Sequence, residues 1–194
     1  GSRGIGPFIA RALAREGANL SIVALDAKPL ETVAKELIGL GVRAISISGD
    51  ITRASDRAAI VERTKKEFGQ IDILINNAGI GNWGVFSKQT ESDMSKVVDT
   101  NLIAPMFLTR AVLPEMLARK SGHIVNISSL AGKKGVPFEA VYSCSKGALA
   151  QWSNALRLEL ENTGVHVSLV FPGYISKVGM FAEYGVPAPK MAGS

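Results

Sequence analysis

Five short apolar runs, rich in β-branched residues, fall at 20–25, 44–47, 71–76, 123–128 and 165–171, with longer amphipathic stretches between them. This alternation is the feature that most narrows the fold. A short run with apolar side chains at successive positions suits a strand covered on both faces, and the intervening stretches are long enough to cross back as helices. The expected architecture is α/β, a doubly wound parallel sheet with helices on both faces. Helices are expected over 7–16, 30–40, Ala54–Phe68, 94–119 and 142–162.

The 194 residues read as one domain, 1–194. A 46% hydrophobic and 20% charged composition can bury a real core. No apolar run approaches the roughly 18 residues a bilayer span needs. No signal peptide is visible, but the chain does not begin with Met, so a targeting segment upstream stays open. The single Cys rules out an internal disulfide and fits a reducing compartment, so the cytoplasm is expected. Two His and one Cys cannot build the common His/Cys metal sites, and no metal is expected. The net charge of +5 comes from scattered Lys and Arg, which speaks for solubility and against a nucleic-acid partner.

Tyr142 and Lys146 stand four apart in the run YSCSK. On a helix such residues share one face. A free phenol titrates near pH 10 and is a slow acid or base at neutrality. An ammonium beside it favours the phenolate, so Lys146 is expected to lower the Tyr142 pKa. Lys146 can also donate to ligand hydroxyls. Taken alone, a half-buried tyrosine and a solvated lysine account for the pair as well.

The surrounding motifs favour the chemical reading. NISSLAGKKGVPFEAVYSCSKGAL resembles the active-site stretch of the short-chain dehydrogenases/reductases, and the chain is similar to 3-oxoacyl-carrier-protein reductases. The likeness runs in order through a glycine loop, Asp50-Ile51, Asn76-Asn77-Ala78-Gly79, Asn101-Leu102, the Ser–Tyr–Lys spacing and Pro172-Gly173. It implies a Rossmann-like fold and hydride transfer between NAD(P)(H) and a small carbonyl or secondary-alcohol substrate. The family's substrate-oxygen Ser lies thirteen residues before the Tyr, which selects Ser129 over Ser128. A strand-end turn residue is the plainer reading of Ser129. By resemblance Tyr142 is the acid/base, Lys146 tunes it and grips ribose, and the Asn101 backbone carbonyl anchors a relay water. Pro105 gives that last role a physical basis. It has no N–H for the Asn101 carbonyl, and a kink is expected there.

On the cofactor side, the loop Gly1-Ser2-Arg3-Gly4-Ile5-Gly6 resembles the end of the family's T-G-x-x-x-G-I-G pattern. Glycines there let backbone approach a pyrophosphate at a helix N-terminus. Contacts are implied at Ser2, Arg3, Gly4, Ile5 and Gly6, at Asp50 and Ile51 near adenine, and at Asn77, Ala78 and Gly79 beside ribose. Tyr142, Lys146, Pro172, Gly173 and Ile175 are implied on the nicotinamide side. Lys177 stands where the family often has Thr. The acidic residue that binds ribose hydroxyls in NAD enzymes is absent at Ala24 and Leu25, although Asp26 follows. Arg3 can pair with a 2′-phosphate. NADP(H) is therefore favoured over NAD(H).

Such a glycine loop normally follows the first strand, which lies mid-sheet, yet no strand precedes residue 1. None is apparent after residue 171 either. The sheet is thus expected to lack its first and C-terminal strands, as in a chain truncated at both ends. Alone it is expected to fold poorly, because the second and fourth strands lose their shared neighbour. Among the other residues, Trp83 and Phe86 are either cleft-lining or core. Cys144 is expected to be packed, and His123 to be exposed. Lys133 and Lys134 are expected on a solvated loop, and Met180, Phe181 and Tyr184 in an apolar lid. Helices 94–119 and 142–162 would pair in the homodimer or homotetramer that the resemblance implies. A non-catalytic dinucleotide-binding sensor or partner subunit is the alternative. Such relatives typically lose the Tyr or Lys, both present here.

Overall fold

The computed structural model describes residues 1–175. Helix α1 (Gly6–Arg15) leads into β1 (Leu20–Ala24), α2 (Ala27–Ile38), β2 (Ala44–Ser48), α3 (Ala54–Phe68) and β3 (Ile73–Asn76). Then come α4 (Glu91–Val98), α5 (Ala104–Ala118), β4 (Gly122–Ile127), α6 (Ala140–Glu159) and β5 (Val165–Val170). All pairings are parallel. Leu20 lies opposite Ala44, Ile73 opposite His123, and Gly122 opposite Val165.

The strands form two sheets, β1-β2 and β3-β4-β5. This is the division expected of a doubly wound sheet whose second and fourth strands lack a common neighbour. Each sheet has its own core. In the first, Leu30, Val33, Ala34 and Leu37 repeat at helical spacing along α2 and pack on Ile22 of β1 and on Ala10 and Ala14 of α1. Leu30 and Leu37 are fully buried; each contributes about 2 kcal/mol. In the second, Val112 and Met116 of α5 and Leu156 of α6 enclose Ile124, Val165 and Val167 of β4 and β5.

The long helix expected over 94–119 is not continuous. It begins at Glu91, where the Thr90 hydroxyl caps it by accepting from the Asp93 N–H at 3.1 Å. Between α4 and α5, Asp99–Ile103 form a π turn, in which the Ala104 N–H reaches back to the Asp99 carbonyl. Pro105 lies just beyond and has no N–H to return to Asn101, so the tighter spacing fails there and a wider turn replaces the expected kink.

Candidate active site

Because the strands are parallel, their carboxyl ends open on one side. A cavity of 1090 Å³ lies there, lined at one end by Gly1, Ser2, Arg3, Gly4 and Ile5 and at the other by Ser129, Tyr142 and Lys146.

Two serines end β4. Ser128 is buried, and its hydroxyl donates to the Lys146 carbonyl at 2.9 Å. Ser129 has extended backbone, and its hydroxyl accepts from the Ala131 N–H at 3.1 Å, capping a 3₁₀ turn over Leu130–Gly132. The Ser129 hydroxyl is near enough to the Tyr142 phenol to lower its pKa. That turn sits directly on α6. A Cβ on Gly132 would fall 2.8 Å from the Lys146 carbonyl carbon, and one on Gly147 would fall 3.2 Å from the Gly132 oxygen. Two facing glycines therefore set the approach of Ser129 to Tyr142.

Lys146 is 3% exposed, and its ammonium donates to the Ile127 carbonyl at 2.8 Å. Burial lowers it to about 8. Its nitrogen lies 5.9 Å from the Tyr142 ring centre. The expected lowering of the Tyr142 pKa is not found. Burial raises it, the Ser129 hydroxyl opposes that, and the Glu139 charge raises it further. The Lys146 ammonium is engaged by a backbone carbonyl, so desolvation wins and the phenol keeps its proton at neutral pH.

Asn101 sits in the π turn, fully buried. Its side-chain oxygen accepts from the Ile80 N–H at 2.8 Å, and its amide donates to the Ile80 carbonyl at 2.8 Å and to the Ser145 hydroxyl at 3.0 Å. Ser145 in turn donates to the Tyr142 carbonyl at 2.7 Å. The sequence pointed to the Asn101 backbone carbonyl; the side chain's tie between the loop after β3 and α6 was missed. A Cβ on Gly79 would meet the Lys146 nitrogen at 3.1 Å and the Asn101 side-chain oxygen at 3.3 Å, which accounts for a glycine there. Asn101→Leu leaves the Ile80 backbone groups and the Ser145 hydroxyl without these partners. It is expected to lower stability by about 3 kcal/mol in urea unfolding.

On the cofactor side, Gly4 takes the left-handed conformation, φ 59°. A Cβ on Gly6 would lie 3.0 Å from the Gly1 oxygen, and Gly6 stands behind the cavity wall rather than in it. Helix α1 begins with no side-chain cap, and its N-cap residue Ile5 lines the cavity, which puts the helix's positive end there. Asp50, Ile51, Asn77, Ala78, Gly79, Pro172, Gly173 and Ile175 line the same space, and so do Arg3 and Asp26. Asp50 is engaged by Thr52, whose N–H donates at 2.9 Å and whose hydroxyl donates at 2.7 Å. This cradle fits a dinucleotide. Close-packed glycines and an uncapped helix suit its pyrophosphate, and one continuous cavity joins them to Lys146.

Other expectations need correction. Cys144 is exposed, not packed, because Tyr142, Ser145, Lys146 and Leu149 face inward and Cys144 points away from them. His123 is partly buried, with its Nε2 2.8 Å from the Ser168 hydroxyl. Trp83 packs against Phe138, their ring centres 5.5 Å apart. Phe86 is exposed. Neither Trp83 nor Phe86 is among the residues lining the cavity. Lys133 and Lys134 are exposed yet stand at the cavity's edge. Lys177, Met180, Phe181 and Tyr184 lie outside the described residues. Glu139, buried and lining the cavity, was missed altogether. Its only signal was a lone acid in the run VPFEAV. Among the described residues no helix is long and apolar enough to cross a membrane.

The family profile described as short chain dehydrogenase matches residues 1–186. The chain belongs to the short-chain dehydrogenase family. This short-chain dehydrogenase is 46% identical over 192 residues to the ketoacyl reductase HetN of Nostoc sp. (strain PCC 7120), covering 99% of the chain and 67% of HetN. It thus spans about two thirds of the length of the curated relatives it matches. Among solved structures, an actinorhodin polyketide ketoreductase with NADPH superposes with a TM-score of 0.90 at 37% identity, over 94% of this chain and 70% of that one. An NAD+-bound xylitol dehydrogenase superposes with a TM-score of 0.84 at 31% identity, over 90% and 66%. The short-chain dehydrogenase fold here is therefore an NAD(P)-binding oxidoreductase fold, and its neighbours divide between the two dinucleotides.

Proposed function

We propose that this protein is an NAD(P)(H)-dependent oxidoreductase that interconverts a carbonyl and a secondary alcohol. The observation that carries this is a single cavity joining the glycine loop to Ser129, Tyr142 and Lys146. A bound nicotinamide supplies or accepts the hydride. Ser129 and Tyr142, which line the cavity together, hold the substrate oxygen between two hydroxyls. In the reducing direction Tyr142 gives its proton to that oxygen as the carbonyl carbon becomes tetrahedral. The phenol carries the proton for this step at neutral pH. Lys146 donates to ribose hydroxyls and holds the site's positive charge, and Asn101 fixes the loop and helix that frame it.

NADP(H) is the dinucleotide this reading favours, with Arg3 pairing with the 2′-phosphate. NADPH is expected to bind at least tenfold more tightly than NADH, and Arg3→Ala to reduce that ratio by about tenfold. Titration of both, followed by nicotinamide fluorescence, checks this. A preference for NADH would make Asp26 the ribose-binding residue, and binding of neither would overturn the hydride-transfer reading. Self-association as a homodimer or homotetramer through α5 and α6 is supported by an apolar groove between them, lined by Phe107, Leu113, Leu117 and Trp152. The cytoplasm is the compartment assigned, since an exposed Cys144 suits a reducing milieu.

A further inference from the structure

Glu139 takes no part in the steps above. It stands three residues before Tyr142, where the chain enters α6. Its N–H donates to the Val136 carbonyl at 3.1 Å, and its carbonyl accepts from the Ser143 N–H at 2.8 Å, so the turn fixes where the side chain departs. The residue is 2% exposed and still lines the cavity beside Ser129, Tyr142 and Tyr174. Its charge is near enough to both phenols to raise the pKa of each. Among the described residues its carboxyl has no ion-pair partner. Burial alone pushes it up to about 7, with neither Lys133 nor Lys134 offsetting its charge. A carboxyl that serves only the fold at such depth is normally bonded to an N–H or an Arg. Among the described residues no hydrogen bond or ion pair engages this carboxyl, and Glu139 lines the same cavity as Ser129 and Tyr142.

We propose that Glu139 is a specificity-determining residue whose carboxyl accepts a hydrogen bond from a donor group, a hydroxyl or an ammonium, carried by the substrate next to its carbonyl. The substrate class is then hydroxy- or amino-ketones and the matching alcohols, rather than plain ketones. The inference rests on the hydride-transfer reading. A site built around a hydrogen bond to substrate discriminates strongly against analogues that lack the group, because its own polar atom is left unpaired.

The test compares 2-butanone, 1-hydroxy-2-butanone and 1-(dimethylamino)-2-butanone with NADPH in the full-length protein and in Glu139→Met and Glu139→Gln. The quantity read is the ratio of kcat/KM for a donor ketone to that for 2-butanone. The wild-type ratio is expected to exceed about tenfold for at least one donor ketone, and Glu139→Met to lower it at least tenfold. In Glu139→Gln the amide oxygen still accepts, so a hydroxyl preference survives in part and an ammonium preference is lost. The same ratio in wild type and Glu139→Met, with NADPH binding retained by fluorescence, overturns the proposal and leaves the hydride-transfer reading standing. If the wild type binds NADPH but reduces none of the three, it is the hydride-transfer reading that fails. Calorimetric titration of the amino ketone then decides Glu139, where equal affinity in wild type and Glu139→Met counts against it.

Discussion

Tyr142→Phe is expected to reduce turnover by about three orders of magnitude while NADPH affinity changes by less than about threefold. The substitution removes one oxygen from the meeting point of Ser129 and the substrate. Neither Ser128 nor Lys146 replaces it. The Ser128 hydroxyl is directed to the Lys146 carbonyl, and the Lys146 ammonium to the Ile127 carbonyl. The fold should barely notice, since Ser129 keeps the Ala131 N–H and the ring remains in place. Steady-state rates, fluorescence titration and a melting curve on one preparation separate these effects. Turnover near that of the wild type would remove Tyr142 from the proton-donor role.

A second large effect is expected from a residue with no functional group. Gly132→Ala places a Cβ within 2.9 Å of three backbone atoms of Lys146 and Gly147, and backbone cannot rotate out of the way. The 3₁₀ turn must lift from α6, at a cost of about 1–3 kcal/mol. Ser129 rises with it, and a misplacement of about 1 Å can cost a hundredfold in rate. Gly135→Ala is the control, since a Cβ there meets nothing within 4 Å. If Gly132→Ala were as active and as stable as Gly135→Ala, the facing glycines would not set the geometry of the site.

The strands were legible because continuous apolar runs have few other destinies, and α3 was found within the residues expected, Ala54–Phe68. The break at Asp99–Ile103 was only half legible. Pro105 announced that the Asn101 carbonyl would lack its donor, but whether the chain answers by kinking or by widening a turn depends on what packs against it. Tyr142 shows the same limit. Treated as an isolated pair with Lys146 it should have become more acidic, whereas burial, a property of the whole fold, moves it the other way. Cys144 was misjudged from its identity, although counting helix positions from Tyr142 would have placed it outside. Glu139 was invisible because a single acid in a loop ordinarily faces water, and only the assembled cavity encloses it.

The cleft is lined from both ends of the fold, from the glycine loop and β1 on one side and from α6 on the other. Arg3 and Asp26 belong to one end and Tyr142 and Lys146 to the other. Among the described residues, the Thr64 hydroxyl reaches across from α3 to Ser21 of β1 at 2.8 Å. A molecule long enough to touch Arg3 and Lys146 at once contacts both ends of the cleft in addition to being a reactant. Its binding returns as cohesion of the chain, about 2.7 kcal/mol when it stands at a hundred times its Kd. For a ligand that touches both ends of the cleft, the supply of reducing equivalents and the lifetime of the folded molecule are governed by one equilibrium.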